Sequence, residues 1–94
     1  MQVPSRNRQW RLAQRPKRRF AEGDVELSDG DAPRPAEGEA LVRVDYLSMD
    51  PTIRGWMAYD TYLPKIRLGD VVRGLGVGTV VSSRNERYAE GAMV

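Results

Sequence analysis

The sequence contains no cysteine and no histidine. Disulfides, thiolate nucleophiles and imidazole bases are therefore excluded within the chain, and so are zinc sites built on thiolate or imidazole. No apolar run approaches the ~20 residues that a membrane-spanning helix needs. The Arg-rich start lacks the apolar core of a secretory signal, so the expectation is a cytoplasmic protein with no membrane partner. Carboxylates, hydroxyls, phenols and guanidiniums are what remain for chemistry. These suit binding and orientation better than autonomous catalysis, and no catalytic residue is expected in the chain. At 94 residues, 40% hydrophobic and 30% charged, a single small domain over residues 1–94 is the ceiling.

Charge is distributed unevenly. Residues 1–20 hold seven Lys or Arg and no acid, whereas residues 21–94 hold eight basic and thirteen acidic residues, a net −5. The basic arm of Arg6, Arg8, Arg11, Arg15, Lys17, Arg18 and Arg19 has the charge to contact phosphates or to direct import into an organelle. The plainer reading is a solvated first strand and turn, because Trp10 and Leu12 alternate with polar neighbours before Arg15-Pro16. The arm has no interleaved aromatics of the kind that single-stranded nucleic acid stacks on, so no nucleic-acid partner is expected.

The alternation predicts a strand over Gln9–Ala13, and a weaker one from Val25 and Leu27 that turns at Asp29-Gly30. Ala32-Pro33-Arg34-Pro35-Ala36-Glu37-Gly38-Glu39 reads as a stiff polar loop. Ala40–Leu47 is the clearest strand, with Val42, Val44 and Tyr46 on one face and Leu41, Arg43, Asp45 and Leu47 on the other. Residues 52–63, after Asp50-Pro51, predict at most one helical turn followed by irregular structure. Tyr46, Trp56, Tyr59 and Tyr62 cluster around that stretch, either capping the open end of a small barrel or walling a ligand. Val71–Ser83 reads as extended. Its Gly74, Gly76 and Gly78 lack the later glycine and the following helix of a dinucleotide fingerprint, and suit a coiled barrel strand instead. Residues 88–94 predict a tight turn and the first residues of another strand that the sequence does not complete, which is the expectation of a truncated domain.

Several segments occur together in a telling order. They are Asn7-Arg8-Gln9-Trp10, Gly38-Glu39-Ala40-Leu41-Val42-Arg43, Tyr46-Leu47-Ser48-Met49-Asp50-Pro51, Arg54-Gly55-Trp56-Met57, Tyr62-Leu63-Pro64 and Leu68-Gly69-Asp70-Val71-Val72-Arg73-Gly74. With these, nearly the whole chain resembles the N-terminal domain of the prostaglandin reductase and alkenal reductase group, within the medium-chain dehydrogenase/reductase superfamily. The resemblance implies a mainly β fold: a partial GroES-like β-barrel in front of a Rossmann domain that is absent from residues 1–94. It implies NADPH as the cofactor of the full-length parent, with none bound by this chain alone. The reaction implied is hydride transfer to the β-carbon of an α,β-unsaturated ketone or aldehyde, with the parent a possible homodimer and the present chain inactive alone. The alternative of a different class is a stand-alone binding module that holds a protein or polyanion through its barrel and basic arm.

Zinc-dependent members of the superfamily place Cys and His where Leu47 and Gly74 stand here, so the resemblance implies a zinc-independent enzyme. It also implies the site residues. Asp50 and Pro51 set a turn at the substrate cleft, Thr52 faces the substrate, and Arg54 supports the turn. Leu75 stands where some members have a tyrosine. Thr52 is likewise a departure, since many members carry a tyrosine there whose phenol reaches the enone oxygen, and the shorter hydroxyl leaves a larger pocket. Ala92 departs from a usual Asp. Asp50 could equally serve only its own turn, and Arg54 a surface ion pair.

Overall fold

The structure, a computed structural model, describes residues 3–94. In chain order the elements are β1 (Arg6–Leu12), a single 3-10 turn (Glu22–Asp24), β2 (Val25–Asp31), β3 (Ala40–Leu47), α1 (Thr52–Ala58) and β4 (Gly76–Ser83). The architecture is mainly β. Its strands form two two-stranded sheets, β1 with β2 and β3 with β4, which are not closed into a barrel. Among the described residues no helix is long and apolar enough to cross a membrane. The chain divides into two compact units. One, here the helical unit, comprises Arg8–Asp29 and Met49–Gly74; the strand unit comprises the residues up to Asn7 with Gly30–Ser48 and Leu75–Val94.

In the helical unit Leu12, Trp56, Met57 and Ile66 are buried together, with Val25, Ile53, Leu63 and Val72 packed against them. The end of β1 is stitched to the segment around Asp70 by backbone bonds. Leu12 N–H donates to Asp70 O at 2.9 Å, Gly69 N–H to Leu12 O at 2.7 Å, and Val72 N–H to Trp10 O at 2.8 Å. The last bond takes the Val72 N–H, and Val71 forms an isolated antiparallel bridge with Arg11, although the sequence assigns both valines to the last strand. That strand therefore begins only at Gly76. Asp24 is the buried polar residue of the unit. Its carboxylate accepts Gln14 Nε2 and the Ala21 N–H, each at 2.8 Å, so burial leaves both oxygens partnered.

In the strand unit β3 pairs antiparallel with β4, from Ala40 opposite Ser83 to Leu47 opposite Gly76. Register shifts at Leu41/Val42 and Val44/Tyr46 leave Val81 on β4 and Asp45 on β3 as extra residues. The strict alternation expected along β3 is thereby broken at Asp45. A bulge sets two successive residues against one on the partner strand, which accounts for Val80 and Val81, neighbours in the chain, both being buried. Glycine is required on β4 because the backbones approach closely: a Cβ at Gly76 would stand 2.6 Å from the Tyr46 carbonyl oxygen, and one at Gly78 would collide with the Arg43 carbonyl. The chain end completes the unit. Gly78 and Val94 exchange both backbone hydrogen bonds at 2.9 Å, and Val80 N–H donates to Ala92 O at 2.9 Å. This is the turn and incipient strand expected over residues 88–94.

Three further expectations need correction. The stretch after Pro51 is a seven-residue helix rather than one turn. Asp29-Gly30 lies inside β2 rather than ending it, because the strand continues to Asp31. The first strand begins at Arg6 and stops at Leu12, earlier at both ends than the alternation predicts.

Candidate functional site

The helix α1 starts at the turn that the sequence picks out. Asp50 Oδ1 accepts the Thr52 N–H at 2.8 Å and the Thr52 hydroxyl at 2.6 Å, so this carboxylate caps the first turn of α1. Pro51 follows as a residue whose missing N–H costs a helix start nothing. The two bonds, the hydroxyl first and the amide second, hold the Asp50 carboxyl below its ordinary pKa. Thr52 has therefore committed its one hydroxyl proton to Asp50, and its oxygen offers lone pairs to anything that approaches.

Arg54, in the same turn, donates its backbone N–H to the Pro51 carbonyl at 3.2 Å, while its side chain makes no ion pair among the described residues. Its guanidinium donates to the carbonyls of Lys17 at 2.7 Å and Arg18 at 3.1 Å, pinning the basic run against the helical unit. Arg15 performs the matching task at the other end of α1, donating to Met57 O at 2.7 Å and Ile66 O at 2.8 Å. Carbonyls at a helix C-terminus lack intrahelical partners, and a guanidinium there also suits the helix dipole. The arm is thus only partly a solvated strand, since Arg15 carries structural bonds. Sequence reasoning missed this role, and its one local signal is an arginine set directly before Pro16.

The aromatics near α1 do not form one wall. Trp56 is buried, only 6% exposed, while Tyr59 and Tyr62 are exposed. Trp56 and Tyr62 meet edge to face at 6.4 Å, and the Arg73 guanidinium lies 5.7 Å from the Trp56 ring centroid. Arg73 also donates to the Pro64 carbonyl. Leu75 and Tyr46 belong to the strand unit, where their side chains are 68% and 75% exposed. Leu75 is held by its backbone, its carbonyl accepting the Ser48 N–H at 2.8 Å. The structure thus brings Asp50 and Thr52 into contact and sets Arg54 on the same helix, with Leu75 in the other unit.

Neither the β4 glycines nor the start of α1 fits a dinucleotide pyrophosphate. Such a site needs free backbone N–H groups where a glycine-rich turn enters a helix. Here Gly76 and Gly78 lie within β4, and the start of α1 is taken by the Asp50 carboxylate.

Residues 8–94 match the family described as the N-terminal domain of oxidoreductase. Over 94 residues, 99% of the chain, the sequence is 38% identical to the NADPH-dependent curcumin reductase of Escherichia coli strain K12, of which it covers 27%. It is 32% identical over 60 residues to an uncharacterized membrane protein of Saccharomyces cerevisiae, covering 62% of this chain and 16% of that one. Among solved structures, CurA from Vibrio vulnificus superposes with a TM-score of 0.86 at 35% identity, covering 93% of this chain and 26% of CurA. CurA in complex with NADPH superposes with a TM-score of 0.80 at 36% identity, over 90% and 25% of the two chains. The chain spans about a quarter of the length of the curated reductase it matches.

Proposed function

We propose a function from one premise: the chain belongs to the family of oxidoreductase N-terminal domains. It serves as the substrate-side domain of an NADPH-dependent, zinc-independent reductase that saturates the C=C bond of α,β-unsaturated ketones or aldehydes. The observation that carries this reading is the Asp50-Pro51-Thr52 turn at the start of α1, whose bonds at 2.8 and 2.6 Å fix residue 52 at the head of the helix. Support for the cofactor comes from the E. coli relative, which is named for its dependence on NADPH. Hydride chemistry is the cofactor's contribution. The chain's own part is to shape and orient: Asp50 and Pro51 fix the turn, Thr52 lines the pocket, and Arg54 holds the helix in place. With Leu47 and Gly74 at the two zinc-ligand positions, the carbonyl is polarised by hydrogen bonds rather than by a metal.

Because the Thr52 hydroxyl already donates its hydrogen bond to Asp50, it does not donate to the enone oxygen. Its role is permissive. The test replaces the matching segment of the E. coli curcumin reductase with this chain and follows NADPH oxidation over enones of increasing size. The chimera consumes NADPH with enones and not with their saturated ketones. Thr52→Ala costs only a small factor in turnover, while Thr52→Tyr shifts preference toward smaller enones by filling the pocket. A folded, NADPH-binding chimera that reduces no enone sinks the reading. A hundredfold loss on Thr52→Ala, the size expected for removing a transition-state donor, would return the hydroxyl to a catalytic role. The 94-residue chain alone is expected to show no saturable NADPH binding by calorimetry and to retain no stoichiometric zinc after dialysis by elemental analysis.

A further inference from the structure

The strand unit holds an open groove of about 630 Å3, whose lining includes Ser5, Asp31, Arg34, Leu41, Ser82 and Arg84. That volume lies within the range of small-molecule sites. Its rim is tied at several points. Ala32 N–H donates to Ser5 O at 2.9 Å and Ala36 N–H to Glu39 Oε1 at 2.9 Å. Arg84 N–H donates to Glu39 O at 2.8 Å, and the Arg84 carbonyl accepts the Gly38 N–H at 2.9 Å. Arg34 stands between Pro33 and Pro35, whose rings fix the backbone on either side of it.

The charges of the groove do not cancel. Asp31 is already engaged by Arg6 at 2.8 Å. The guanidiniums of Arg34 and Arg84 have no hydrogen-bond or ion-pair partner among the described residues. Two planar five-donor forks therefore line a groove whose acid is spoken for, and the Ser5 and Ser82 hydroxyls add neutral donors. Such forks match the tetrahedral oxygens of a phosphate in paired hydrogen bonds. The prolines and Leu41 supply apolar wall against which a carbon body can lie.

We propose that this groove binds a small organic phosphate, its dianionic head on Arg34 and Arg84 and its carbon body along Leu41 and the prolines. The site lies wholly within the strand unit and is independent of the reading given for the Asp50 turn. The experiment titrates the 94-residue chain with phenyl phosphate, followed by amide and guanidinium NMR shifts, beside inorganic phosphate and benzoate. Phenyl phosphate saturates shifts at Arg34, Leu41, Ser82 and Arg84 and binds more tightly than either control, which lacks the ring or the second charge. The double variant Arg34→Gln/Arg84→Gln weakens binding at least tenfold. Ser82→Asp, which sets a carboxylate in the groove and keeps both arginines, does the same, so a folding defect in one variant does not decide the outcome. Unchanged affinity in the double variant overturns the proposal. So do shifts centred on Lys17, Arg18 and Arg19, or inorganic phosphate binding as tightly as phenyl phosphate.

Discussion

The helical unit buries Leu12, Trp56, Met57 and Ile66 as one cluster, and Arg15 and Arg54 spend their guanidiniums on carbonyls within it. In the strand unit the buried hydrophobics are Val80 and Val81, while Val44, Tyr46, Leu47, Leu75, Val77 and Met93 are exposed. Its order comes from the β3–β4 ladder and from glycines that let backbones touch. The difference teaches which atoms to disturb. The helical unit leans more on its buried side-chain cluster, and the strand unit more on main-chain pairing.

The strongest attack on that contrast is Leu12→Ala. A fully buried leucine cut to alanine costs about 3–4 kcal/mol through lost transfer energy and the cavity left behind. Thermal or urea unfolding followed by tryptophan fluorescence measures it, because Trp10 and Trp56 both belong to the helical unit. In the strand unit the counterpart is Gly78→Ala, which removes no side chain. The new methyl collides with the Arg43 carbonyl, and the expected cost is about 2–3 kcal/mol of overpacking, read as faster amide exchange along β3 and β4. If Gly78→Ala proved neutral while Leu41→Ala unfolded the unit, the contrast would be wrong.

The same contrast explains what the sequence makes legible. The bounds of β3 are readable because β-branched and aromatic side chains recur there, and that pattern reflects local chemistry, although the bulge that breaks it at Asp45 is not. The length of α1 is not readable. Thr52 and Ile53 are β-branched and Gly55 is a poor helix former, so local preference argues against a helix that is secured by Arg15 and the Ile66 N–H reaching its last carbonyls. At the site, the Asp50 and Thr52 pair is legible because its bonds span two residues. The partners of Arg54 lie 36 and 37 residues away, and no spacing announces them.

A smaller effect sharpens the helical half. Arg15→Met keeps the stem and removes the donors, leaving the Met57 and Ile66 carbonyls unpartnered. The expected cost is about 1–2 kcal/mol, with loss of amide protection at the end of α1. Arg15→Lys should recover part of it.

The smallest effect is a titration, and each unit offers one. The Thr79 hydroxyl, and after it Arg43, lowers the Asp45 carboxyl pKa in the strand unit; the Thr52 hydroxyl and amide lower that of Asp50 in the helical unit. A carboxyl depressed in the folded state contributes stability that is present above its unfolded pKa and is lost as pH falls through the folded one. Both contributions therefore vanish only in strong acid, below the ordinary carboxylate range. Carboxyl carbon NMR should show Thr79→Val raising the Asp45 midpoint and Thr52→Val raising that of Asp50. Each should rise only partway, because Arg43 remains beside Asp45 and the Thr52 amide beside Asp50. Neither variant should move the other unit's aspartate.

The reciprocal bonds between Gly78 and Val94 carry a consequence for self-association. β4 has β3 on one side and the chain's last residues on the other, so its backbone groups there are taken on both flanks and cannot template a strand from another molecule. The other flank of β3 is unpaired among the described residues, and the strand carries Arg43 and Asp45, joined at 3.0 Å. Charged side chains on an edge strand discourage edge-to-edge growth. Detaching the final strand residues from β4 would expose a second flank in Gly76–Val81, a stretch of glycine, valine and threonine that carries no charge to discourage pairing.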